Sequence, residues 1–460
     1  MYYILFLICL LSRILSSIYY IEDIDSLRFA LSIIDDYDIA KYQPHFPGYA
    51  VYCFIAIILY KITGSLAMTA SLIGGISTYF LIYFLLKILR IKIDSWQSIF
   101  IILITFFNPM IWILGNRYMP DLLGMTIALA SIYYISQKSN PKIINVGYFF
   151  AGILMGVRLS YFPLIIIPVF YSLKNKNHYQ KYIFYFFCGL FIWFIPLIFS
   201  EGLFNLYKIG LSHTIGHFTD YGGTINTESN TLLRLKFLIH TIWSDGLGGF
   251  WKNRTWNSLL ISILIFGIFL STNYKMIKFS KITKIYIFSC FIYLIWIFLF
   301  QNLIYKSRHV LPLVVLLLLI IGLLQKRNKY KLIFMLLPLF LSILTLNLIQ
   351  SHREGTAIKF LKDHLEINKK NIIISNSLVN YYLKNNGISS NYINIENLKK
   401  EKVLDKSKNQ ENILMIGDYS QRFENEYNIN LDTTFYHNPY MNRMWSEIPI
   451  YSLVMKNEEK

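Results

Sequence analysis

The chain has 460 residues, of which 55% are hydrophobic and 17% aromatic while only 15% are charged, against roughly 25% charged in an ordinary soluble domain. That balance excludes a soluble enzyme, and the dominance of apolar residues with ordinary glycine and proline contents excludes a disordered or fibrous chain. The net charge of +18 does not mark a nucleic-acid partner, because residues 351–460 hold 15 basic and 14 acidic side chains while residues 1–350 hold 29 and 12, and an excess confined to the apolar part belongs to a multi-span membrane protein.

Apolar stretches near the ~20 residues that cross a bilayer fall at 2–20, 66–86, 97–115, 121–137, 182–199, 257–273, 285–301, 309–325 and 332–350. The stretch 145–173 is interrupted by Arg158 and Ser160 and is predicted as two short helices meeting at a turn, giving about eleven transmembrane helices. Five short connections between them carry 16 basic residues (Lys87, Arg90, Lys92; Lys138, Lys142; Lys174, Lys176, Lys181; Lys275, Lys278, Lys281, Lys284; Lys326, Arg327, Lys329, Lys331) and one acid, Asp94. By the positive-inside rule these face the cytoplasm. The N-terminus is then inside, and 21–65, 116–120, 200–256, 302–308 and the C-terminal tail lie outside. Counting 48–63 as a span would invert every later loop, so this segment is predicted to dip into the outer leaflet. The first span has no basic n-region and no small-residue cleavage site after Tyr20, as expected of a retained anchor rather than a signal peptide. No direct or inverted repeat is visible.

From about residue 351 the chain turns polar, with a helix-like run at 354–365 and strand-like runs at 371–375 and 413–416. The expected fold is therefore an all-α polytopic membrane domain over 1–350, with large external loops at 21–65 and 200–256, followed by a small extracytoplasmic α/β domain over 351–460. Gly417-Asp418 lacks the glycine-rich fingerprint of a nucleotide loop, which leaves a structural or acceptor-docking role. Cys9, Cys53, Cys188 and Cys290 all lie in apolar runs and form neither a disulfide framework nor a zinc signature.

Polar residues that could carry chemistry gather on the external side. The first loop opens Glu22-Asp23-Ile24-Asp25-Ser26-Leu27-Arg28. Three carboxylates at a membrane face repel one another and are costly to desolvate, which fits one of them for proton abstraction; the alternative is helix capping, with Asp25 as the cap. Gln43-Pro44-His45-Phe46-Pro47-Gly48-Tyr49 is a proline-shaped loop presenting His45 and Tyr49, either to a ligand or as a stiff interfacial hairpin. In Asn116-Arg117-Tyr118-Met119-Pro120-Asp121, Arg117 and Asp121 form an ion pair or an anion site. Arg158, within apolar sequence, costs at least ~2.5 kcal/mol and calls for a polar cavity or partner. Lys306-Ser307-Arg308-His309 precedes a late span, where long basic side chains either snorkel or bind. His213 and His217 have the i, i+4 spacing of a shared metal, but no carboxylate completes a His-Glu-x-x-His pattern. Trp243-Ser244-Asp245-Gly246-Leu247-Gly248-Gly249 suits a saccharide- or lipid-facing ledge or a plain structural loop.

Taken in order, these positions resemble the GT-C membrane glycosyltransferases, in particular the group related to protein O-mannosyltransferases and to the aminoarabinose transferase of lipid A modification. An acidic pair just after the first span is matched by Asp23 and Asp25, a His-Pro-Pro-like turn before a re-entrant helix by His45 to Tyr49, and an Arg-x-x-Pro-Asp signature by Arg117, Pro120 and Asp121. A basic residue after a glycine-rich helix is matched by Gly152, Gly156 and Arg158, and an Arg-aromatic-x-x-Pro pattern by Arg308 and Pro312. The chain departs from the pattern where Ile24 splits the acidic pair and His309 replaces the aromatic.

The resemblance implies an inverting transfer of a sugar from a polyprenyl-phosphate donor to a lipid, glycan or protein acceptor at the extracytoplasmic face of a plasma or inner membrane. Asp25 or Asp23 would be the catalytic base, and Arg117, Asp121, Arg158, Arg308, His45, Tyr49 and His217 would bind donor phosphate or substrate. A divalent metal is compatible with such chemistry, though no ligand spacing supports one. The rival reading is a transporter or flippase for an anionic lipid or sugar, which would instead favour repeats, broken helices and polar groups at the midplane.

Overall fold

Helix ends in an apolar environment leave backbone N–H groups that no water can satisfy, and the sequence supplies side chains for that purpose. The computed structural model describes residues 1–137, 140–173, 178–367, 371–397 and 412–456; of the basic residues counted above, Lys138, Lys174 and Lys176 lie outside them. The chain forms α1 (Tyr2–Leu15), α2 (Ile24–Ile34), α3 (Ala50–Thr63), α4 (Leu66–Leu89), α5 (Trp96–Phe106), α6 (Pro109–Leu114), α7 (Asp121–Ile135) and α8 (Pro141–Arg158). It continues through α9 (Pro163–Leu173), α10 (Tyr179–Glu201), α11 (Leu203–Gly216), α12 (Thr231–His240), α13 (Trp256–Ser271), α14 (Lys281–Phe300), α15 (Leu311–Lys326) and α16 (Leu336–Glu354). Ser65, Ser95, Asn108, Asn140 and Ser280 each accept a backbone N–H at the start of α4, α5, α6, α8 and α14, the expected N-cap chemistry.

Among the described residues six helical stretches are long and apolar enough to cross a membrane, and the shorter α1, α5, α7, α9 and α13 occupy the other expected spans. Two expectations need correction. The single span at 97–115 is broken into α5 and α6, because Asn108 caps a new helix and Pro109 takes its first turn. Of the two short helices expected in 145–173, the first is an 18-residue helix that begins at Pro141. The break itself falls where the polar residues placed it: α8 ends at Arg158, a 3-10 turn covers Leu159–Tyr161, and α9 follows. The segment 48–63 becomes the 14-residue α3, stopped by Gly64 in the left-handed conformation.

Small residues let these helices approach closely. A Cβ on Gly152 would sit 2.2 Å from the Phe186 carbonyl, one on Gly189 2.2 Å from the Phe149 carbonyl, and one on Gly156 would strike Trp193. The α8–α10 contact is thus backbone against backbone, as small-xxx-small motifs allow, and the Trp193 indole N–H donates to the Gly152 carbonyl at 3.0 Å.

The chain divides into two compact units, one of Met1–Tyr19 with Arg28–Arg353 and the other of Tyr20–Leu27 with Glu354–Lys460. The second unit contains α17 (Ala357–Ile367), β1 (Asn371–Ser375), α18 (Ser377–Asn385), β2 (Asn391–Asn394), β3 (Asn412–Ile416), β4 (Tyr427–Tyr436) and β5 (Glu447–Met455). Its five-stranded sheet has the order β2-β1-β3-β5-β4, with β1 parallel to β2 and β3, and β5 antiparallel to β3 and β4. All five residues of β1 are buried, as an apolar central strand requires. Ala357, Ile358, Leu361 and Leu365 form the buried stripe of α17.

Candidate active site

The acidic run folds as a helix start. The Leu27 N–H bonds the Asp23 carbonyl at 2.9 Å, and the Ser26 N–H bonds Asp23 Oδ1 at 2.8 Å, so the cap of α2 is Asp23. The capping alternative had been set on Asp25, two residues too late, because the helix takes in Ile24. Asp25 lies in the first turn, 1% exposed, where the helix dipole favours a carboxylate. Its place is therefore not explained by capping. Arg28 follows three residues on, on the same face of the helix.

The loop before α3 is built to hold Tyr49. Gly48 has φ of +90°, and a Cβ there would lie 2.6 Å from both Ile39 Cδ1 and the Tyr37 hydroxyl; that hydroxyl donates to the Gly48 carbonyl at 2.8 Å. Tyr49 itself has φ of 48°, a left-handed backbone uncommon outside glycine. Its ring packs edge-on against Phe29 with centroids 5.0 Å apart, and its hydroxyl lies 3.1 Å from His45 Nε2.

Tyr49 leads to a buried ionic cluster where three helices end. Arg158 closes α8, Asp121 opens α7, and one guanidinium nitrogen of Arg158 lies 2.9 Å from Asp121 Oδ1. Arg308 Nε is 3.7 Å from the other carboxylate oxygen, the second Arg158 nitrogen donates to the Tyr49 hydroxyl at 3.3 Å, and His309 Nδ1 is 3.5 Å from the first Arg158 nitrogen. Gly124 makes the approach of α7 to α8 feasible, since a Cβ there would be 2.6 Å from that of Arg158. Arg117 is buried one turn before Asp121. Its neighbours tie the turn to α1: Tyr118 donates to the Ile18 carbonyl at 2.7 Å, and Asn116 to the Arg13 carbonyl at 2.8 Å.

His213 packs against the His45 ring. Its ring stacks on His45 with centroids 5.8 Å apart, and its Nδ1 is 3.0 Å from the Tyr221 hydroxyl. Burial, with added repulsion from His217, Arg28 and Lys306, pushes its pKa down to about 4. His217, singled out from the sequence, has Nε2 2.8 Å from the Phe300 carbonyl, so it is His213 that meets the His45–Tyr49 loop. Sequence reasoning did not assign Arg28, His213 or Lys306 to the site. The signal available for Arg28 was its spacing from Asp25, whereas nothing local marks Lys306.

The Trp243 to Gly249 turn uses its polar groups internally: Arg254 pairs with Asp245 at 2.7 Å and bonds Ser244 at 3.0 Å, both contacts partly buried, while the Trp243 indole donates to the Phe250 carbonyl at 3.1 Å. Among the described residues no group of three or more His, Cys, Asp or Glu side chains could hold a metal ion.

No protein-family model matches the sequence, and no curated protein matches it. Two solved structures do match the fold. The crystal structure of ArnT from Cupriavidus metallidurans bound to undecaprenyl phosphate superposes with a TM-score of 0.58 at 8% identity, covering 98% of this chain and 97% of that one. The apo structure of the same protein gives 0.54 at 9% identity with the same coverage. The likeness runs through both units and establishes a polytopic GT-C-like fold with a C-terminal α/β unit.

Proposed function

We propose that this GT-C-like protein is a glycosyltransferase that moves a sugar, with inversion, from a polyprenyl-phosphate donor to a hydroxyl acceptor at the extracytoplasmic membrane face. The observation that carries this reading is the start of α2. Asp23 takes the cap, and Asp25 sits in the first turn with Arg28 three residues beyond it, in a fold whose solved neighbour holds undecaprenyl phosphate.

In the proposed reaction the Asp25 carboxylate accepts the proton of the acceptor hydroxyl, a contribution of about 10²- to 10⁴-fold. The acceptor oxygen forms its bond to the anomeric carbon as the bond from that carbon to the phosphate oxygen breaks. The electron pair leaves with the polyprenyl phosphate, whose charge falls to Arg28 and Lys306, with Arg117 and Arg308 as further candidates, through charge-assisted hydrogen bonds. Asp121 and Arg158 hold each other and Tyr49, and so keep the His45–Tyr49 wall of the site in place. The apolar α3 is the proposed bed for the isoprenoid chain.

The test is transfer from radiolabelled undecaprenyl-phosphate sugars in proteoliposomes, offered in turn as hexose and pentose donors. Asp25→Asn should abolish transfer while expression and detergent stability stay near normal, because a base acts on the transition state more than on packing. Full activity in Asp25→Asn together with loss in Asp23→Asn would move the base by two residues; full activity in both removes the mechanism.

A further inference from the structure

The compact unit that contains residues 354–460 also contains the acidic segment Tyr20–Leu27. Hydrogen bonds among the described residues bind that segment within it. Asn442 Nδ2 donates to Asp23 Oδ2 at 2.8 Å, Thr356 Oγ1 donates to the Glu22 carbonyl at 3.3 Å, and the Tyr382 hydroxyl donates to the Ile21 carbonyl. Asp23 thus has one carboxylate oxygen on the helix and the other on Asn442, with both residues buried.

Asn442 is itself fixed from two sides. The Met444 N–H donates to its Oδ1 at 2.9 Å, which leaves the amide NH₂ facing Asp23. His437 Nδ1 accepts the Ala357 N–H at 3.0 Å, so the proton on that ring belongs on Nε2, which lies 2.7 Å from the Asn442 backbone carbonyl. The loop between β4 and β5 therefore has a defined amide orientation, locked to the first turn of α17, at the point where it meets the capping carboxylate. A loop that served only to join two strands would not need its amide held from both ends.

We infer that Asn442 is a positioning residue for sugar transfer: through Asp23 it sets the starting point of α2 and hence the placement of Asp25 in its first turn. This rests on the reading that the start of α2 is the transfer centre, and it gives the C-terminal unit a role in the reaction itself rather than in acceptor docking alone. Misplacement of a reacting group by about 1 Å can lower a rate by on the order of 100-fold, so loss of the Asn442 amide acts on turnover more than on donor binding.

The experiment measures kcat and KM for the undecaprenyl-phosphate sugar that the wild-type full chain transfers, in proteoliposomes, for Asn442→Ala, Asp23→Asn, Asn442→Asp and the exchanged pair Asp23→Asn with Asn442→Asp. The exchanged pair keeps every hydrogen bond, since Asn at position 23 still accepts from Ser26 and donates across, while Asp at 442 still accepts from Met444. Asn442→Ala is expected to lose about 10- to 100-fold in kcat with donor KM within about threefold. Asn442→Asp, with two carboxylates facing each other, should lose at least as much, and the exchanged pair should recover most of the rate. Wild-type kcat in Asn442→Ala overturns the inference, as does an exchanged pair no better than its single variants while Asp25→Asn is inactive. A dead exchanged pair with an active Asp25→Asn points instead to Asp23 as the base and overturns the proposed register. Should Asn442→Ala fail to fold, the exchanged pair decides on its own.

Discussion

An arginine at the end of an apolar helix needs an anionic partner, and Arg158 has one in Asp121 at 2.9 Å, with both side chains nearly inaccessible. Removing one member of such a pair leaves the other charged and buried, at about 3–5 kcal/mol, whereas removing both is far less damaging. Arg158→Ala should therefore lower thermal stability in detergent strongly, and Arg158→Ala with Asp121→Ala should restore much of it. A stable Arg158→Ala with only a raised donor KM would instead make Arg158 a phosphate ligand. His213 gives a second prediction. With its pKa pushed down to about 4 by burial, the folded chain holds fewer protons there than the unfolded chain between pH 6.5 and 4. The stability this contributes is complete above about 6.5 and is lost as the pH falls through about 4. A nearby phosphate would raise that pKa, so protonation of His213 should favour undecaprenyl-phosphate binding as the pH falls toward about 4, and His213→Gln should remove that contribution. Identical pH curves for variant and wild type would place the phosphate away from His213. That Arg158 needs a partner was legible in the sequence, because a charge in apolar sequence demands one; that Asp121 meets Arg158 was not, since its sequence neighbour Arg117 was the nearer candidate. Arg28, Lys306 and His213 were not, because long-range proximity decides their meaning.

At the scale of elements, membrane helices were readable because the bilayer imposes length and polarity on every span. The errors fall where a single side chain overrides an apolar run, as Asn108 does between α5 and α6, or where a helix begins one residue before the first obvious cap, as at Asp23. The positions of β1 and β3 were readable from their isoleucine-rich runs. The pairing order β2-β1-β3-β5-β4 was not, since strand order depends on partners distant in sequence. The α8–α10 contact yields a prediction. Gly152 meets the Phe186 carbonyl at a distance no side chain tolerates, so Gly152→Leu must push the helices apart. Overpacking of this kind costs about 1–3 kcal/mol, and because α8 ends in Arg158 the same change should also lower transfer activity. A Gly152→Leu variant with unchanged unfolding temperature and activity would mean that α8 and α10 can separate without disturbing the site.

For the whole molecule, the decisive quantity is how charge is distributed among the connections, because Lys and Arg resist translocation and Asp and Glu contribute little. Sixteen basic residues in five short connections set the proposed orientation, and the mechanism depends on it: the acidic start of α2, the His45–Tyr49 loop and the α/β unit must all reach the extracytoplasmic side. Single cysteines report this directly once Cys188 is replaced, since Cys9, Cys53 and Cys290 are buried. Lys41, Asn226 and Asn430 are exposed positions in the first loop, in the 200–256 loop and on β4, whereas Lys278 and Lys329 are exposed in two of the basic connections. In intact cells or sealed vesicles of known orientation, a membrane-impermeant maleimide should label cysteines at the first three positions from outside and should reach the last two only after permeabilisation. Labelling from outside at Lys278 with none at Lys41 or Asn226 would turn the molecule over and place Asp25 on the cytoplasmic side. Labelling from outside at Lys41 and Lys278 with none at Asn226 would instead show that α3 crosses the bilayer, since one added span between the first loop and α4 reverses everything after it while leaving the first loop where it was.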